Sequence, residues 1–158
     1  MTTLEVIVYV VVALVGLAIF FGTKFLARKF GAGNRTNAEA AFDELPDFDV
    51  QATLVYLGSA IGYDVERNKV AIWEKVGGAR LVDPAGVGAW HSGLLLTAVL
   101  TRTTATPMVQ LFAGPNDEKP FFKVGVVDES DCDTWREILA TAFGTGRERE
   151  AAISVLGA

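Results

Sequence analysis

The run VIVYVVVALVGLAIFFGT limits this chain more than any other feature: 18 consecutive residues, Val6 to Thr23, without a charge. As a helix it reaches about 27 Å, close to the roughly 30 Å hydrocarbon core of a bilayer. Val and Ile are middling helix formers in water. Lipid, however, offers the backbone no outside partner, so a spanning segment must close its own hydrogen bonds. Glu5 bounds the run on one side, and Lys24 is placed to extend its ammonium to the interface on the other. The competing reading, a cleaved signal peptide, wants a basic n-region and a shorter apolar stretch. The residues before the run are MTTLE, with no Lys or Arg. A retained transmembrane helix is therefore expected over 5–28.

Lys24, Arg28, Lys29 and Arg35 follow the span, and no basic residue precedes it. The positive-inside rule then puts the C-terminal mass in the cytoplasm, as a single-pass protein of the cell's inner membrane. Cys132 is the one cysteine, which excludes a disulfide framework and agrees with a reducing compartment. One histidine excludes a His-cluster metal site, and no cofactor is expected. From Asn37 onward 10 basic residues face 18 acidic ones, a net −8, which argues against a nucleic-acid partner. The expected partners are the bilayer and one or more unidentified membrane-associated proteins.

Residues 29–48 read as a linker. Gly31, Gly33 and Asn34 loosen it, and Thr36 followed by Glu39 has capping-box spacing. A two-turn helix from Asn37 to Leu45, stopped by Pro46, fits within an acidic, solvated spacer. Residues 49–144 read as one domain. In DVQATLVYL, AIGYDV and KVAIWEKV apolar residues alternate as in half-buried strands, and Gly77-Gly78 marks a turn into ARLVD. A long apolar run from Ala89 is expected to turn at Ala105-Thr106-Pro107 into MVQLFAG, before FFKVGVVD closes a series of seven antiparallel strands. Ser130 and Asp133 give a cap-like start to a helix whose stripe is Trp135, Ile138, Leu139, Ala142 and Phe143. Residues 145–158 form a tail whose course the pattern leaves open.

Seven antiparallel strands closed by a C-terminal helix bearing a Trp resemble the pleckstrin-homology-like (PH-like) superfold, over about residues 49–143. The segment GYDVERNKVAIWEKVGGARLVDPAGVGAW looks like the hairpins of small bacterial or phage-type PH-like domains. The resemblance implies an α+β, mostly-β fold: one bent seven-stranded antiparallel sheet or barrel capped by the helix. It implies lipid-binding, peptide-binding or purely structural use without choosing among them. Lipid-binding members carry a basic cluster across the first two strands, where this chain has Leu57-Gly58-Ser59.

The chemistry-bearing residues are few. His91 sits between Trp90 and Ser92 without a nucleophile elbow, phosphate loop or zinc-protease helix, so the protein is read as non-enzymatic. The acidic run Asp128–Asp133 lacks the alternating oxygens and central Gly of a calcium loop, and helix capping accounts for it. Trp73 lies on the face of KVAIWEKV opposite Val70 and Ile72. Either it is an exposed binding residue beside Arg67, Lys69 and Lys75, or it packs under a neighbouring segment. The expected function is a membrane-anchored protein-interaction or scaffold domain. The alternative is an accessory subunit of a multi-protein envelope or phage-encoded membrane assembly, for which the Ala18/Gly22 small-residue pair leaves room.

Overall fold

The computed structural model describes residues 33–99, 102–150 and the backbone of 154–156. The expected membrane helix over 5–28, with Lys24, Arg28 and Lys29, lies outside them. Among the described residues no helix is long and apolar enough to cross a membrane. One compact unit starts at Asn34.

Two sheets replace the expected single bent sheet or barrel. Strands β1 (Ala52–Tyr56), β2 (Ser59–Asp64), β3 (Lys69–Glu74) and β4 (Gly78–Leu81) form an antiparallel meander in the order β1-β2-β3-β4. Strands β5 (Ala89–Val99), β6 (Arg102–Phe112) and β7 (Phe122–Gly125) form the second, in the order β7-β6-β5, all antiparallel. A further strand, β8 (Ser154–Leu156), runs parallel to β5 along its other edge. The break falls at residues 82–88. Asp83 accepts the N–H of Ala85 at 3.0 Å and caps a single 3-10 turn at Pro84–Gly86, which carries the chain off the edge of β4. Gly88 then passes so close to the β6–β7 loop that a Cβ there would lie 2.5 Å from the Ala113 carbonyl oxygen. β4 therefore never pairs with β5, and the meander does not continue as one sheet.

The turn expected at 105–107 is absent, because β6 runs straight through Pro107, opposite Leu94. The Pro107 carbonyl accepts the Val126 N–H at 2.9 Å, so its nitrogen, on the same side of the strand, also faces away from β5. The missing N–H costs the β5–β6 ladder nothing.

Helical residues 33–43 form α1, and α2 spans Glu129–Phe143. The cap of α2 is Asp128, whose carboxylate accepts the Ser130 N–H at 3.0 Å, two residues earlier than the Ser130 start expected. Cys132, Trp135, Leu139 and Phe143 are its buried side chains. They close a core with Ile61, Val70 and Ile72 from the first sheet and Trp90, Leu111 and Val124 from the second.

The opposite face of the first sheet is buried as well. Ala38 and Phe42 of α1, with Phe48, pack on Ala60, Ala71 and Trp73. Small residues make room for them: a Cβ on Gly62 would lie 3.0 Å from the Phe42 ring. The segment read as a solvated spacer is instead a docked helix. Covered on both sides, β2 and β3 carry no charged residue at their four central positions, Ala60–Tyr63 and Val70–Trp73.

Candidate functional site

The residues singled out from the sequence do not converge. Trp73 is 6% exposed, held in the cluster under α1, so the binding-residue reading gives way to packing under a neighbouring segment. Arg67 sits in the β2–β3 turn and pairs with buried Asp64, Nη1 to Oδ2 at 3.1 Å. Lys69 Nζ donates to the Asp47 carbonyl at 3.1 Å. Lys75 lies past the far end of β3, about 20 Å from Lys69 at the usual rise per strand residue. Arg35 pairs with Glu39 one helical turn on, at 3.2 Å.

Asp64 is a joint of the fold. Its carboxylate accepts the backbone N–H groups of Asp49 (3.0 Å) and Arg67 (2.9 Å) besides the Arg67 guanidinium. Burial opposes ionisation of the carboxyl, but these donors outweigh it and hold the group below the usual carboxylate range.

A polar cavity of about 560 Å³ lies where β5, α2 and residues 145–150 meet, lined by His91, Ser92, Gly93, Arg136, Glu148 and Arg149 among others. Because a carbonyl can only accept, His91 donates its Nδ1–H to the Arg149 oxygen at 2.9 Å. In the neutral ring the lone pair then sits on Nε2, which is buried and has no hydrogen-bond partner among the described residues. Ser92 commits its hydroxyl to the Cys132 carbonyl at 2.7 Å. Arg136 reaches Asp133 (2.7 Å), the Ser92 carbonyl (2.9 Å) and Glu148 (3.0 Å). Around this centre residues 144–149 are fastened down. Trp90 Nε1 donates to the Gly144 carbonyl, and Arg147 to the carbonyls of Pro84 and Val87. Arg149 donates to the Asp117 carbonyl while its guanidinium lies 4.4 Å from the Phe112 ring centroid.

These groups make a clasp. Ser92, next to His91 in the chain, gives its hydroxyl proton to the Cys132 carbonyl and not to the imidazole. Burial, the largest influence, pushes the Cys132 thiol up, which leaves it un-ionised at neutral pH. Among the described residues no cluster of His, Cys, Asp and Glu is arranged to hold a metal ion. The clasp is not legible in the sequence because it joins residues 32 to 63 apart through backbone carbonyls, which every sequence supplies.

The first sheet offers a different feature. Among the described residues β4 has a strand neighbour on one side only, and a cavity of about 300 Å³ beside it is lined by Ile72, Leu81, Val82 and Phe121. Leu81 and Phe121 are each more than a third exposed. Comparison with protein-family models, curated proteins and solved structures gave no match for this chain.

Proposed function

We propose that the chain is a non-enzymatic, single-pass protein of the inner membrane whose folded unit serves as a protein-interaction module on the cytoplasmic side. The uncharged run Val6–Thr23, with basic residues only behind it, carries the anchoring and the orientation. The free edge of β4 and its apolar groove support the interaction role. An edge strand presents unpaired backbone donors and acceptors to an extended segment, and the groove beside Leu81 and Phe121 would take its apolar side chains. The partner is an extended apolar segment of a membrane-associated protein, and anchoring both in one membrane raises their effective concentration.

The test has two arms. Protease added outside sealed cells should leave the unit intact; its digestion overturns the orientation. A photo-crosslinker at Leu81 or Phe121 in living cells should capture a membrane-associated protein stoichiometrically, whereas one at Glu66 should not. Equal capture at all three positions, or none at the first two, rejects the β4 edge as the interaction surface.

A further inference from the structure

Four of the exposed large apolar residues gather at one end of the first sheet. Leu57, 67% exposed, forms the β1–β2 turn, and Val76, wholly exposed, forms the β3–β4 turn. A hydrogen bond from the Lys75 N–H to the Gly58 carbonyl, 2.9 Å, ties the two turns together. Half-exposed Tyr56 adjoins Leu57 and packs against Gly125, two residues before exposed Val127.

Leu57 is also in the left-handed region, at φ 51°. A turn position of that kind favours Gly or Asn, and a branched side chain held there and pointed at solvent gains nothing for the fold. Such a conformational cost, set at an exposed apolar tip, marks a contact made outside the folded unit.

The position of the tip identifies what it meets. The side-chain amide of Asn34, where the compact unit begins, donates to the Leu57 carbonyl. Only ten residues, 24–33, separate Asn34 from the end of the uncharged run.

We infer that the tips around Leu57 and Val76 rest in the interfacial layer of the bilayer, an apolar contact without headgroup recognition. The inference depends on the anchored reading above, and the experiment separates the two. The full chain is reconstituted into vesicles of phosphatidylcholine with phosphatidylglycerol, carrying Leu57→Cys, Val76→Cys or Glu66→Cys labelled with an environment-sensitive dye. Cys132 is buried and stays unlabelled. Labels at 57 and 76 should shift to the blue and be quenched by nitroxide lipids, in low and in high salt, while the label at 66 should do neither. Failure of the chain to float with the vesicles overturns the anchored reading. Flotation with solvent-like spectra at 57 and 76 overturns this inference alone. Leu57→Gly, suited to that φ, should reduce quenching at 76 without lowering the melting temperature. A lowered melting temperature would make Leu57 a folding residue and refute the inference.

Discussion

Replacing Phe42 by Ala tests whether α1 belongs to the folded unit. The ring is fully buried, sits 3.0 Å from where a Gly62 Cβ would be, and meets Phe48 at a centroid distance of 5.9 Å. Its transfer from water is worth about 1.5–3 kcal/mol. The vacated space adds to that, because the sheet floor of Gly62 and Ala71 has no side chains able to fill it. Together these place Phe42→Ala in the range of about 3–5 kcal/mol measured for buried aromatic truncations. That is a large part of the roughly 5–15 kcal/mol that holds a typical domain together. Urea unfolding of the full chain in mild detergent, followed by tryptophan fluorescence, reads the effect and its location. Trp73 lies in the α1 cluster, whereas Trp90 and Trp135 lie in the main core. The expected result is a large fall in the unfolding midpoint, with Trp73 emission the first to shift red. A loss below about 0.5 kcal/mol, the usual cost of a surface change, would refute the docking of α1. Trp73→Ala should destabilise on the same scale.

Two further outcomes follow from buried groups. The Asp64 carboxyl titrates below its unfolded value, so it stabilises the fold above the ordinary carboxylate range and loses that contribution as pH falls through the folded value. Acid titration of the melting temperature should therefore show a steeper fall below about pH 4 in the parent chain than in Asp64→Asn, and parallel curves would refute this account. Cys132 is buried with its thiol raised, so alkylation by iodoacetamide at pH 8 should await unfolding; rapid labelling of the native chain would place the thiol at the surface.

Local chemistry was legible in the sequence, and geometry between distant segments was not. The strand in KVAIWE and the stripe through Trp135 and Leu139 can be read from local pattern, because each follows from the geometry of one element, whereas the burial of both faces of that strand does not show in its period. The two-sheet division turns on Asp83, Pro84 and Gly88, an unassuming corner that leaves the outer edge of β4 without a strand beside it among the described residues. The covering of Trp73 had a signal that went unread: Ala60, Gly62, Ala71 and Ala79 put small residues on one face of three strands, as a close-packed helix requires. The 33–43 helix was foreseen in part, but acidic composition made it read as solvated, although Ala38 and Phe42 share a face one turn apart. The residues singled out from the sequence, Trp73, Arg67, Lys69 and Lys75, lie outside the clasp, whose contacts are long-range. Arg147 and Arg149 look like ordinary surface charge until their carbonyl acceptors are known.

The clasp has an evolutionary consequence. Among the described residues, every side-chain hydrogen bond that Arg147 and Arg149 donate ends on a main-chain oxygen, at Pro84, Val87 or Asp117. As hydrogen-bond acceptors, those positions can drift in side chain without weakening the grip, as long as the backbone keeps its path. The two guanidinium groups have less such freedom: one Nη1 of Arg147 serves two carbonyls, and Arg149 keeps its guanidinium 4.4 Å from the Phe112 ring centroid while its own Nη1 donates. Selection would therefore press on one side of each contact only. A comprehensive substitution survey would register two intolerant arginines, and pairwise co-variation would miss what they hold.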